Sequence, residues 1–251
     1  MPDFLLPLIV IFIVTPMVIG PFVVKFTHWI SARAVIEPIL PEALTDKTKT
    51  FIDQSKAELD ALGFQFAGYL RMAGYMPKMT CYFGLFRHDA GKSAAMAAVI
   101  EHASGRRLEY CEFSTTYSNG RIIDVNNSPE IGGYDIPDKV MYRYPNVPSI
   151  RKLFEINQWV TTRDTKKSVP VGLAAGREAD MVAQALEKEA AIQAKRGFYV
   201  LDESRTRYRL TWKGAFMMTE RQVFPFKQII TFNDRRAAKK AAAGMPATSA
   251  L

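Results

Sequence analysis

Between Asp3 and Lys25 lie 21 consecutive residues without a charge, FLLPLIVIFIVTPMVIGPFVV. At 1.5 Å per residue, a helix of that length crosses a hydrocarbon core of roughly 30 Å, so the run predicts a single transmembrane anchor over residues 1–26. Pro7, Pro16, Gly20 and Pro21 are tolerated in a spanning helix and suggest a kink. A cleaved signal peptide is the alternative, but it needs a basic segment ahead of a shorter apolar core. No Lys or Arg precedes this run, and the small-residue pair Ala32 and Ala34 lies well beyond its end.

After the run the pattern weakens, and residues 27–44, with Pro38 and Pro41, read as an extended linker. Helical spacing then places Ile52, Leu59 and Leu62 near one face, with Thr45 or Asp46 as cap and Gly63 as stop. From residue 64 the period changes to two. Residues 64–73 and 80–87 are aromatic-rich, and in the second of these Cys81, Phe83 and Leu85 alternate with Tyr82, Gly84 and Phe86. Both faces are apolar, which predicts a central strand. Residues 94–102 lie between two strand candidates and are expected to be a strand despite their alanines. Residues 107–117 and 121–125 flank Ser118-Asn119-Gly120, a hairpin signal in which a type I′ turn sets both central residues at positive φ.

Residues 128–148 carry four prolines and two glycines and are expected to cross irregularly. Two helices are predicted next: 149–162, with Ile150, Leu153, Phe154, Asn157 and Val160 near one face, and 174–196, stopped by Gly197. Residues 198–201 and 206–210 close as a hairpin around Asp202-Glu203-Ser204. The expected fold class is α+β: an N-terminal single transmembrane helix followed by one domain, residues 45–232, with a largely antiparallel sheet packed with helices. Residues 233–251 read as a basic, Ala-rich disordered tail.

Charge divides unevenly along the chain. Residues 1–194 hold 21 basic and 21 acidic side chains, whereas residues 195–251 hold 12 and 4, so the whole excess of +8 belongs to the last 57 residues. Because Lys25, Arg33, Lys47 and Lys49 follow the apolar run, positive-inside bias places the N-terminus outside and the C-terminal domain in the cytoplasm. Cys81 and Cys111 are too few for a disulfide scaffold and read as buried thiols.

His88-Asp89-Ala90-Gly91-Lys92-Ser93 ends like a phosphate-binding loop, but Phe86 occupies the position of that motif's first glycine, and a polar hairpin turn is expected. Cys81, His88, His102 and Cys111 lack the close spacing of zinc ligands. No nucleophile pairs with His88-Asp89, and the Asn126-Asn127-Ser128 sequon arises readily by chance. No catalytic residue, metal or cofactor is expected.

The C-terminal stretch carries more. Arg205, Arg207 and Arg209 alternate with Thr206, Tyr208 and Leu210, so a strand there would present three guanidiniums on one face. Thr211 can cap a helix in which Trp212, Phe216, Thr219 and Val223 recur at helical spacing, followed by Pro225. Trp212, Lys213, Phe226, Lys227 and Phe232 then lead into Arg235, Arg236, Lys239 and Lys240. Aromatics beside cations are the pattern of a segment lying on anionic lipid headgroups. The expected partners are the bilayer, anionic headgroups and another membrane protein or complex; nucleic acid is not the expected partner. The reading is a membrane-anchored binding or accessory protein, with a membrane-tethered enzyme acting on a lipid-linked or nucleotide substrate as the alternative. A cleft uniting His88, Asp89 and Lys92 with Glu101 or Glu112 would favour the enzyme, and a flat face of exposed aromatics would favour the partner.

Overall fold

The computed structural model describes residues 11, 14–130, 133–166 and 168–246. Five strands form an antiparallel meander: β3 (Gln65–Ala73), β4 (Met79–His88), β5 (Ser93–His102), β6 (Arg107–Tyr117) and β7 (Ile122–Asn126). Edge strand β2 (Glu37–Pro38) pairs with β3, and β8 (Lys139–Arg143) returns parallel to β7. The short β9 (Pro170–Val171) adds to β6 and completes an eight-stranded sheet. A separate three-stranded sheet has the order β1 (Trp29–Ser31), β11 (Arg207–Leu210), β10 (Tyr199–Leu201).

Both faces of the main sheet are covered, as the two-sided apolar pattern of β4 demands. One face meets α2 (Asp46–Asp60) and α3 (Ile150–Arg163), burying Leu59, Phe86, Phe113, Leu153 and Ile156. The other meets α4 (Glu178–Lys195), the small sheet and α5 (Trp212–Glu220), burying Phe83, Leu85, Ala190, Phe198, Leu210 and Ala215. A Cβ on Gly84 of β4 would come within 2.6 Å of Ile52 Cγ2, so the glycine lets α2 sit down on the sheet. The remaining helices are α1 (Thr15–Thr27), against α5, and α6 (Phe226–Ala241), against β8.

The α+β fold with an antiparallel-rich sheet is as the hydrophobic rhythm predicts, and so are the local signals. Thr45 and Thr211 each cap a helix through the side-chain oxygen, and residues 93–102 form a strand. The hairpin between β6 and β7 is present, but its turn differs. Tyr117 and Arg121 pair across three residues, and only Gly120 has positive φ, at +84°. Asn119 serves through its side chain instead, accepting from Arg121 N and donating to Lys166 O.

Three expectations change. Residues 27–44 are not a free linker: β1 pairs with β11, β2 pairs with β3, and Ile30 and Ala34 are buried. Their contacts lie far off in sequence, which no local pattern displays. Residues 128–148 contain β8, a parallel return that periodicity alone misses. The tail expected to be disordered from residue 233 begins inside α6, anchored by buried Ala238 and by Tyr144, whose hydroxyl donates to Ala238 O at 2.8 Å. As for the transmembrane helix, residues 4–10, 12 and 13 of the apolar run lie outside the described residues. Among the described residues, no helix is long and apolar enough to cross a membrane.

Candidate functional site

The apolar run and the basic, aromatic segment, nearly 190 positions apart, are in contact. Trp212, at the first turn of α5, meets Phe22 edge-on at 5.0 Å and Phe26 at 6.2 Å. Lys25 lies 5.8 Å from the Trp212 ring and donates to Leu210 O at 2.6 Å. The two helices approach closely because Gly20 has no side chain; a Cβ there would fall 2.5 Å from Thr219 Cγ2. What α1 does not bury on α5 is apolar and open: Val18, Ile19, Phe22, Val23 and Phe26 are each at least half exposed. Phe216 of α5 continues that surface at 49% exposure, and Thr219, expected on the same face as Trp212 and Phe216, is buried against Gly20 instead.

The predicted cations separate into two groups. Arg207 and Arg209 are exposed on β11 while Tyr208 and Leu210 turn inward, as alternation requires. Arg205 lies outside the strand, at positive φ in the turn, so it does not join their face. Arg207 stacks over Trp29 at 4.1 Å. Lys213 is held by Arg196 O at 2.9 Å and by the Phe198 ring. The second group is on α6, where Lys227, Arg235, Arg236, Lys239 and Lys240 are exposed, Phe226 is half-buried and Phe232 is exposed. That helix is tied to β8 by Arg143 and Asp234 at 2.5 Å.

The His88 segment forms the β4–β5 turn. Gly91 N donates to His88 Nδ1 at 2.9 Å, and the imidazole packs on Phe64 and Phe154. The following residues are β5, so the turn has no helix N-terminus with which to cradle a phosphate. His88 lines a cavity of about 290 Å³ between the ends of β5 and β6 and helix α3, and Glu101 and Glu112 do not. Glu101 is bound to Arg107 and Thr48. The four residues of zinc-ligand type are dispersed: Cys81 and Cys111 belong to the two opposite cores, and His88 and His102 lie at opposite ends of the β4–β5 ladder. Burial pushes the Cys81 thiol up to about 11 and Cys111 to about 12.

A charged strip beneath α4 was not anticipated. Glu112, Asp124 and Lys139 come from β6, β7 and β8 and share one face through register. Lys139 Nζ forms an ion pair with Asp124 Oδ2 at 3.0 Å and donates to Glu189 Oε1 of α4 at 2.7 Å. Asn126 Nδ2 donates to Glu112 Oε2 at 3.0 Å, and Asp124 Oδ1 is buried without a hydrogen bond. Burial, then the neighbouring Asp124 charge, raises the Glu112 carboxyl to about 8. Burial draws the Lys139 ammonium down, but Asp124, Glu189 and Glu112 outweigh it and hold its pKa above the usual value. The available signal was Asp124 within Ile122-Ile123-Asp124-Val125, a carboxylate facing opposite to Ile123 and Val125 on a strand flanked by other strands.

No family model, curated protein or solved structure matches this chain.

Proposed function

We propose that the protein is a membrane-anchored binding module in which the C-terminal end of α1 and the first turn of α5 lie at the boundary between hydrocarbon and headgroups of an anionic bilayer. The observation that carries this reading is the contact of Trp212 with Phe22, Phe26 and Lys25, which makes one surface of the end of the uncharged run and the start of the basic, aromatic segment. Contiguous exposed apolar residues of this kind mark an interaction surface, and aromatic rings beside Lys and Arg suit the boundary between hydrocarbon and headgroup. Arg207 and Arg209 supply attraction of about 1 kcal/mol each to an anionic leaflet, falling off within a Debye length; the basic end of α6 lies beside α3, where Arg163 donates to Ala243 O, and is not part of this surface. The uncharged run supports a spanning anchor that ends at Lys25, with the N-terminus outside and the domain in the cytoplasm. The domain would serve there as a scaffold or a complex subunit.

The His88 cavity does not unite His88 with Glu101 or Glu112, which favours binding over the enzyme alternative.

The test is flotation of the full chain with liposomes after removal of detergent. Association is expected to resist high salt through the anchor and to favour anionic over neutral vesicles, and a variant carrying Arg207→Gln and Arg209→Gln is expected to lose that preference. Equal partitioning of parent and variant into both vesicle types would overturn the reading. A reporter fused after Leu251 is expected to be active only in the cytoplasm.

A further inference from the structure

The cavity beside His88 is built from polar side chains at positions that the folding pattern reserves for apolar ones. Ser93 and Thr115 stand on neighbouring strands, on the face that carries Ala95 and Phe113 into the core, and both are almost fully buried. Asn157 occupies the inward face of α3 between Leu153, Phe154 and Val160, is 2% exposed, and its Nδ2 has no hydrogen-bond partner. Buried polar groups are nearly always paired, so an unpartnered amide in a cavity wall calls for something to fill the cavity.

We infer that this cavity is a binding site for a small uncharged polyhydroxylated ring, of the size of a monosaccharide. Three observations select that chemistry. Among the described residues, the lining offers hydroxyls, two amides and an imidazole, groups that pair with neutral hydroxyls. Hydroxyl and amide groups both donate and accept, which matches a ligand whose own hydroxyls do the same. Phe154 and Tyr117 add an apolar wall for the C–H face of such a ring. A volume near 290 Å³ is at the lower limit of roughly 300–1,000 Å³ for small-molecule sites, which suits one ring and excludes a dinucleotide. The inference is independent of the membrane reading.

The test uses the full chain in a detergent that carries no sugar. Saturation-transfer NMR is run with methyl glucopyranoside, methyl galactopyranoside, N-acetylglucosamine and, as an uncharged heterocycle for comparison, uridine. At least one pyranoside is expected to bind, and Asn157→Leu is expected to weaken it at least tenfold without lowering Tm, because the amide it removes has no protein partner. Thr115→Val, nearly isosteric, is expected to weaken the same sugar and serves if the first variant does not fold. Binding of uridine alone, no binding by any pyranoside, or unchanged sugar affinity in folded variants would overturn the assignment. So would a lowered Tm with unchanged affinity, which would make Asn157 a structural residue.

Discussion

The two faces of the main sheet are closed by different means. Under α2 and α3 the central strands are sealed by hydrocarbon, Phe86 and Phe113 against Leu153 and Ile156. Under α4 the sheet is apolar along β3 to β5 but gives way across β6, β7 and β8 to Glu112, Asp124 and Lys139, with Glu189 reaching down from the helix. The first face depends on transfer and packing, which are indifferent to pH. The second depends on a lysine paired with Asp124 and Glu189 beside a Glu112 that holds a proton below about pH 8, an arrangement that is costly to break because removing the lysine leaves the Asp124 charge buried. The fold therefore has one half whose stability is set by volume and one half whose stability is set by protonation.

The largest effects should fall on each half separately. Phe113→Ala removes a fully buried ring and is expected to cost about 3–5 kcal/mol at every pH, measured by denaturant unfolding of the full chain in detergent. Lys139→Met is expected to cost a similar ~3–5 kcal/mol near pH 8, with a smaller loss near pH 5, where Glu112 holds a proton. A Lys139→Met loss independent of pH would remove the distinction between the faces.

Glu112 sharpens the same comparison. Its folded pKa of about 8 stands above the ordinary 4.5, so the stability it confers is fully present below about 4.5 and is lost as pH rises to about 8. The slope over that window is at most about 1.4 kcal/mol per pH unit. Glu112→Gln, which keeps the acceptor for Asn126, is expected to flatten it and to be the more stable form near pH 8. A parent protein whose unfolding midpoint is constant from pH 5 to 8 would contradict this assignment. The smallest effect belongs to the β6–β7 turn. Gly120→Val forces a β-branched residue to positive φ and is expected to cost about 1–3 kcal/mol, whereas Asn119→Ala loses two side-chain hydrogen bonds and is expected to cost about 1 kcal/mol, by thermal unfolding.

Local chemistry was legible where the physics is local. The caps at Thr45 and Thr211 follow from side-chain oxygens beside the first free N–H groups of a helix, and the two-sided pattern of β4 and the inward Tyr208 and Leu210 against outward Arg207 and Arg209 follow from a period of 2. The pairing of β1 with β11 joins Trp29 to Arg209 across most of the chain, and β8 lies parallel to β7 after an irregular crossing; neither leaves a periodic trace. Site residues divide in the same way. Trp212 and the arginines announce themselves as aromatics beside cations. The cavity is written as Ser93, Thr115 and Asn157, ordinary polar residues whose oddity shows only once strand register and helix face place them inward. The strip of Glu112, Asp124 and Lys139 is likewise assembled from three strands, and no single segment displays it.

The central claim is that the paired helices α1 and α5 meet lipid while the α3 side of the domain does not, and the chain's three tryptophans allow a direct measurement. Trp212 lies on α5 against α1, and Trp159 lies on α3 with Arg163 over its ring at 4.1 Å. Single-tryptophan versions of the full chain, made by replacing the other two with Phe, are reconstituted into anionic nanodiscs containing lipids brominated along the acyl chain. Strong quenching of Trp212 with little quenching of Trp159 is the expected result. Equal quenching of the two, or an unquenched Trp212, would contradict the account.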